Sequence, residues 1–296
     1  MWCLTRTAAT RPPSDACTQW TNSKEEIFLV YFVATPIGNL GEITSRATEV
    51  LKSADVVYCE DTRRSALLLK HIGSSAPTRS YHKFNEEQRL KEILQAAREG
   101  KNIAIVSDAG MPCVSDPGRV LVNALIEDGL KYTVVSGASA FLNAFVLSGF
   151  AAPFTFVGFL PEKKVDRERL MQRVASLSAM IFYAAPHDVN ENLGYLYERL
   201  GDRRVAVIKE ISKIHEKVTF FNLSEARVEE PRGEYVLVTD GANEENALNG
   251  LSVEEHVSFY ADKGMSKMEA IKQTARDRGT SKNEIYKLFF NKDENN

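Results

Sequence analysis

The residues of this chain best suited to chemistry stand where short apolar runs end. The clearest set is residues 107–118, Ser-Asp-Ala-Gly-Met-Pro-Cys-Val-Ser-Asp-Pro-Gly, directly after Ile103, Ala104, Ile105 and Val106. A β-branched run that stops at Gly, Pro and Asp reads as a buried strand opening into a loop. In a parallel α/β sheet, ligands bind at such carboxyl ends because side chains and free backbone groups converge there. Asp108 and Asp116 are the carboxylates of this loop. Taken singly, each is better explained by an Asx turn or a helix cap, but the density of turn formers marks the whole as a binding loop. A second charged set, Glu60, Asp61, Thr62, Arg63 and Arg64, follows the short strand predicted at 55–58. Its plain alternative is a helix capped by Asp61 or Thr62, with Arg63 paired to the cap. His82 and Asn85 follow a third strand, and Asn85 with Gln88 has the spacing of an approximate capping box.

The elements that must position these groups can be read in order. Residues 29–34 form an apolar strand followed by Thr35, Pro36, Ile37, Gly38, Asn39, Leu40 and Gly41, and then Ile43, Ala47, Val50, Leu51 and Ala54 fall on one helical face. The loop between them lacks both GxGxxG and GxxxxGK[ST], so a nucleotide-phosphate site is poorly supported. Residues 132–135 form a further strand, and the small Ser136, Gly137, Ala138, Ser139 and Ala140 let a helix bearing Phe141, Phe145 and Leu147 start close to a ligand or pack close to a strand.

A junction falls at 151–153, followed by strands at 154–159, 179–184 and 204–208, while the alternating 217–222 and 234–239 predict antiparallel pairs in a mixed sheet. Between the first two lies the charged stretch 161–173, with Lys163, Lys164, Arg167, Arg169 and Arg173. Such runs are usually solvated helix faces, yet this one is the best candidate for contact with a phosphate backbone. Beyond a polar linker at 243–250, three short amphipathic helices are predicted, with Ser266/Glu269 and Ser281/Glu284 as N-caps. Lys267, Lys272, Arg276, Arg278, Lys282 and Lys287 make the last two basic, which suits a helix-turn-helix-like RNA-contacting module, with a dimerisation or packing role as the alternative.

Composition narrows the function. With 296 residues, two domains and a small appendage are the natural expectation. A net charge of −3 excludes general adhesion to nucleic acid and leaves only patch-like RNA contact. The four cysteines, Cys3, Cys17, Cys59 and Cys113, have neither CxxC spacing nor histidine neighbours, so neither a metal site nor a disulfide framework is expected, and a cytosolic setting fits best. No apolar run is long enough to span a bilayer. Residues 1–26 lack apolar periodicity and read as disordered, with a transit peptide or an over-extended gene start as alternatives.

Five motifs in fixed order now carry a resemblance: Ala-Thr-Pro-Ile-Gly-Asn-Leu (34–40), Glu-Asp-Thr-Arg (60–63), Ser-Asp-Ala-Gly-Met-Pro (107–112), Ser-Asp-Pro-Gly (115–118) and Gly-Phe-Leu-Pro (158–161). The chain resembles the bacterial 16S rRNA ribose 2′-O-methyltransferases, which modify a cytidine of the decoding centre and belong to the tetrapyrrole-methylase superfamily. The resemblance spans about residues 29–239, and the terminal helices resemble that group's C-terminal extension. It implies an α/β fold of two domains, 28–151 and 152–243, with S-adenosylmethionine (SAM) in the cleft between them. It also implies a helical module at 250–292, residues 1–27 as a disordered extension, a cytoplasmic homodimer, and 16S rRNA within the small ribosomal subunit as partner, without metal or membrane.

By position, the resemblance assigns Pro36, Ile37, Gly38, Asn39, Asp108, Ala109, Gly110, Met111, Ser136, Gly137, Ala138, Ser139, Ala140 and Pro186 to the cofactor pocket. It puts Glu60, Asp61, Arg63, His82 and Asn85 on the RNA side. The chain departs from the group's pattern in three places. Ser136-Gly137-Ala138-Ser139-Ala140 stands for Pro-Gly-Pro-Ser-Ala, Ala184-Ala185-Pro186-His187-Asp188 for Glu-Ser-Pro-His-Arg, and Lys209-Glu210-Ile211-Ser212-Lys213 for Arg-Glu-Leu-Thr-Lys.

For that reaction a ribose hydroxyl, a weak acid, is helped by a positioned base. Glu60, Glu210 and His82 are the candidates, with Lys209, Lys213 or Arg63 orienting a phosphate or stabilising the developing alkoxide. The competing readings are a SAM methyltransferase of a small tetrapyrrole-like molecule and a catalytically impaired RNA-binding homologue. The cationic 163–173 stretch and the basic terminal helices argue against the first, while the losses at Ala184 and Asp188 make room for the second.

Overall fold

The computed structural model describes residues 29–174, 178–241 and 252–290. The expected N-terminal extension at 1–27 and the polar linker at 243–250 lie outside the described residues.

Five of the apolar runs become β1 (Val30–Val33), β2 (Val56–Cys59), β3 (Thr78–Ser80), β4 (Ile103–Val106) and β5 (Tyr132–Val135). They form one sheet in the order β3-β2-β4-β1-β5, with every neighbouring pair parallel. Alternation along the strands sends Val33, Val57, Cys59, Ala104 and Val106 to one face, under α1 (Ser45–Ser53) and α2 (Thr62–Ile72). Val30, Phe32, Tyr58, Ile103 and Ile105 go to the other, under α3 (Glu86–Arg98) and α4 (Arg119–Glu127). With both faces covered, no position in the central strands can be polar, which is why they read as unbroken apolar runs.

The second sheet holds β6 (Phe154–Phe159), β7 (Ala179–Ala184), β8 (Arg204–Lys209), β9 (Lys217–Asn222) and β10 (Tyr235–Thr239), in the order β6-β7-β10-β8-β9. Only β6 and β7 pair in parallel; β10 and β9 pair antiparallel, as their alternation predicts. One face, with Phe182, Val205, Val207 and Leu237, packs on Leu193, Leu196 and Leu200 of α7 (Val189–Leu200). The opposite face, with Ile181, Ala206, Ile208, Val236 and Val238, packs on Ala144, Phe141 and Phe145 of α5 (Ala140–Ser148), the helix that leaves the first sheet. Ile37, from the loop after β1, enters the same cluster and is 7% exposed. Burying such a side chain contributes about 1.5–3 kcal/mol, so the loop after β1 is pinned to the second sheet.

The charged stretch forms α6 (Lys164–Arg173), but not all its cations face outward. Arg167 is buried, donating to Pro161 O at 3.0 Å and Glu191 at 2.8 Å and stacking over Tyr195. It is therefore a packing residue, which corrects its expected part in a phosphate-contacting face; Lys163, Lys164, Arg169 and Arg173 remain exposed. The terminal helices are α8 (Val253–Asp262), α9 (Lys267–Asp277) and α10 (Lys282–Phe290), with a small core of Val257, Ala270, Ile271, Ala275 and Ile285. Ser252/Glu255 and Ser266/Glu269 close full capping boxes. At Ser281 only half forms: Glu284 N donates to Ser281 Oγ at 3.2 Å, while the Glu284 carboxylate accepts from Thr280 Oγ1.

Candidate active site

The strands β4, β1 and β5 are neighbours, so the loops that follow them leave the same edge side by side. Thr35 and Gly110 exchange both backbone hydrogen bonds, at 2.9 and 3.1 Å, and Thr35 Oγ1 donates to Ser107 O at 3.2 Å. Gly110 has φ 79°, and a Cβ there would lie 3.4 Å from Ile37 Cγ2 and 3.7 Å from Ala138 O. At Gly137 a Cβ would fall 2.9 Å from Ala34 Cβ, so the loop after β5 can pass over β1 only as glycine. Residues 37, 110 and 138 thus meet, as their common place at the sheet edge requires. The second sheet closes on them: a Cβ on Gly38 would collide with Lys213 Cγ, and one on Gly158 would lie 3.2 Å from Ser115 Oγ.

A small cavity among the loops of the first sheet, lined by Glu60, Tyr81, Ser107, Pro112 and Asp116, measures about 10 Å³, room for no more than a single water.

Asp108 bridges two loops. Its Oδ1 accepts from Asp61 N at 3.0 Å and its Oδ2 from Arg64 at 3.2 Å. Asp61 in turn caps α2 by accepting from Arg63 N at 2.9 Å and pairs with the exposed Arg63 guanidinium at 3.0 Å. The Arg63 hydrogen bonds hold the Asp61 carboxyl below the usual carboxylate range. The capping reading therefore accounts for Asp61 and Arg63, and it turns Arg63 toward Asp61.

Asn85 caps nothing with its side chain. Its Oδ1 accepts from His82 N at 2.8 Å and its Nδ2 donates to Ser80 O at 3.2 Å, closing the end of β3. Nδ2 also lies 3.3 Å from His82 Nε2. With Nε2 accepting, the ring proton sits on Nδ1, a buried atom with no partner. His82 is therefore arranged as a donor rather than as the base expected. Next to it Phe84 is 94% exposed and meets the His82 ring edge-on.

Glu210 and Lys213 form an ion pair at 3.0 Å, and Glu210 also accepts from Glu234 N at 2.8 Å. Burial raises the Glu210 pKa, but the Glu234 amide and Lys213 outweigh it and leave the group below its ordinary value. That makes Glu210 a brace for the turn before β10 and a weak base. Lys209 points elsewhere, because alternation along β8 puts it on the α7 face, opposite to Ile208. Asn39 Oδ1 accepts from Gly41 N at 3.0 Å, capping a 3-10 turn, Ser139 is the N-cap residue of α5, and Pro186 lies in the turn between β7 and α7. The backbone of Pro36, Ala109, Met111, Ser136 and Ala140 completes the loops around the seam.

Two groups stand out that sequence reasoning did not assign to catalysis. Asp116 is pushed up to about 6, first by burial and then by the Glu60 charge, against a hydrogen bond from Ser107. Tyr183 of β7 feels the same carboxylate, and its own pKa is raised to about 12, chiefly by burial. Phe84 is the other; an aromatic between Lys83 and Asn85 in a polar turn was the available signal.

The family model described as Tetrapyrrole (Corrin/Porphyrin) Methylases matches residues 29–227. A Bacillus subtilis protein named ribosomal RNA small subunit methyltransferase I is 40% identical over 283 residues, covering 90% of this chain and 96% of the relative. A namesake from Halalkalibacterium halodurans is 38% identical over 88% of this chain and 94% of the relative. Among solved structures, a uroporphyrin-III-C-methyltransferase from Thermus thermophilus aligns at TM-score 0.55 and 19% identity, covering 72% of this chain and 94% of that one. A diphthine synthase aligns at TM-score 0.56 and 15% identity, covering 72% and 89%.

Proposed function

The chain belongs to the tetrapyrrole methylase family, and from that premise we propose that it methylates a ribose 2′-hydroxyl of 16S rRNA, on a cytidine of the decoding centre. It is a SAM-dependent methyltransferase of ribosomal RNA. The observation that carries the choice of substrate is the near-full-length similarity to relatives named for the small ribosomal subunit, which extends beyond the family match at residue 227. The reading also includes a homodimer, a cytoplasmic setting and two domains that part at 151–152.

Loop geometry at the seam supports a cofactor site there. Loops from three adjacent strands bring backbone groups together around Gly110 and Gly137, where a Cβ on Gly137 would strike Ala34, the arrangement that lets a ligand approach the main chain closely. Residues 36–39, 108–111 and 136–140 would hold it. SAM supplies an activated methyl group on a sulfonium.

The protein's own part is chiefly positioning, which is worth roughly 7–11 kcal/mol in the best intramolecular cases. Asp116 takes the place of Glu210 and His82 as the base, because a carboxylate with a pKa of about 6 is ionised at neutral pH yet holds a proton better than an ordinary one. Phe84 supplies an exposed face for an unstacked base, the form in which single-stranded RNA is recognised.

Transfer of labelled methyl from SAM to small ribosomal subunits lacking the modification, beside tetrapyrrole precursors, tests the reading. Label in 2′-O-methylcytidine supports it. Label confined to the tetrapyrrole, or on a base, overturns it.

A further inference from the structure

A groove lies away from the seam, on the α7 face of the second sheet. Register across this sheet aligns Tyr235 of β10 with Lys209 of β8, and Lys209 with Lys217 of β9. Paired residues point to the same face, so the two lysines stand side by side. Directly opposed like charges destabilise an antiparallel pair. The next rows toward the sheet centre are Val207 with Thr219 and Val205 with Phe221. One wall is the segment 227–230, fixed to α7 by Asn190, whose Nδ2 donates to Val228 O at 2.9 Å and whose Oδ1 accepts from Val228 N at 2.8 Å. Arg227 lines that wall, and the whole encloses about 490 Å³.

Among the described residues, none of Lys209, Lys217 and Arg227 has a carboxylate within 4.0 Å. Glu229 and Glu230 also line the groove, but Glu230 is turned to Arg232 at 3.5 Å. A lysine on an edge strand can serve to block strand addition. That account suits Lys217 on β9, but not Lys209 on an interior strand or Arg227 on a loop. Three cations with no ion pair within 4.0 Å among the described residues, two of them held in opposition over a floor that includes Phe221 and Tyr235, call for an anion with a flat group beside it.

We propose that this groove binds the phosphodiester backbone of the RNA substrate, apart from the seam where the methyl is transferred. The inference rests on the reading of the chain as an rRNA methyltransferase. It gives Lys209 a different task from the alkoxide or phosphate at the reacting ribose.

The test is the affinity for 16S rRNA as a function of salt, for the wild type and for Lys217→Ala/Arg227→Ala. Each lost phosphate contact lowers the slope of log affinity against log salt by roughly 0.7–0.9, so the double variant should lose about 1.5 and bind about tenfold more weakly at low salt. SAM affinity should not change, and the melting temperature should not fall, because a repulsion is removed. Lys217→Gln, at an exposed edge position, gives a milder second variant with half the loss of slope. An unchanged slope in a folded variant overturns the proposal, as does loss of binding to uridine monophosphate with RNA binding intact, which would make the groove a small-ligand site. Wild type that binds no RNA would overturn this inference and the proposed function together, whereas wild type that methylates rRNA beside a variant with unchanged slope overturns the inference alone.

Discussion

Thr35 and Gly110 are joined by two backbone hydrogen bonds, N–H to O at 2.9 Å one way and 3.1 Å the other, although 75 positions separate them in the chain and neither belongs to a strand of the sheet. This pair ties the loop after β4 to the loop after β1, and Ile37 then anchors both to the core of the second sheet. Gly110 can serve because its φ of 79° costs glycine little. Alanine there carries a backbone penalty of about 1–2 kcal/mol and adds a Cβ 3.4 Å from Ile37 Cγ2. Gly110→Ala is expected to lower the thermal midpoint accordingly and to weaken SAM binding about tenfold, as measured by denaturation and titration calorimetry.

Asp116 links catalysis to pH. As a base it must be ionised, so the rate of methyl transfer should fall as pH drops through about 6. Asp116→Asn should lower kcat by about 10²–10⁴-fold while leaving SAM affinity unchanged. Its folded pKa lies above the unfolded value, so the folded state favours the protonated form, and the carboxylate lowers stability once pH passes about 6. The asparagine variant should therefore melt higher than wild type at pH 7.5. A variant that is inactive but also less stable would point to a purely structural carboxylate.

Phe84 presents nearly its whole ring to solvent, so replacing it should cost the fold nothing. Phe84→Ala should leave the melting curve in place and raise the dissociation constant for 16S rRNA by the equivalent of about 1–3 kcal/mol, the usual worth of one stacked base. Filter binding with matched RNA gives the comparison directly.

In the terminal helices, His256 is fully buried, with Nε2 at 3.1 Å from Asp277 and Nδ1 accepting from Arg278 Nε at 3.0 Å. Burial lowers its pKa, Asp277 raises it and Arg278 lowers it, and the net shift is downward. A histidine with a depressed folded pKa contributes stability above its unfolded pKa of about 6.5 and loses it as pH falls. Amide exchange across α8 and α9 should therefore accelerate below about pH 6.5, and His256→Gln should remove most of that pH dependence.

Much of this architecture was legible in the chain. Ile103 to Val106 is apolar at every position because both faces of its sheet are covered, while Lys217 to Asn222 at the edge of the second sheet mixes polar and apolar residues and is only partly buried. What failed were inferences from adjacency. Glu210 reads as a candidate base with Lys209 and Lys213 beside it, but a single step along β8 reverses the face, so Lys209 lines the groove while Glu210, at φ 52°, leaves the strand to brace a turn. Asn85 has the spacing of a cap, yet the end of β3 claims its amide through Ser80 and His82. The raised pKa of Asp116 depends on burial and on Glu60 at the end of the neighbouring β2, neither of which has any mark in local sequence.

The central claim is that the loops after β1, β4 and β5 jointly hold the methyl donor. Hydrogen exchange of the full chain with and without SAM tests it most directly. The account predicts slowed exchange in all three segments, 36–39, 108–111 and 136–140, on addition of SAM. Protection that leaves these segments unchanged and appears instead around 209–230 would contradict it.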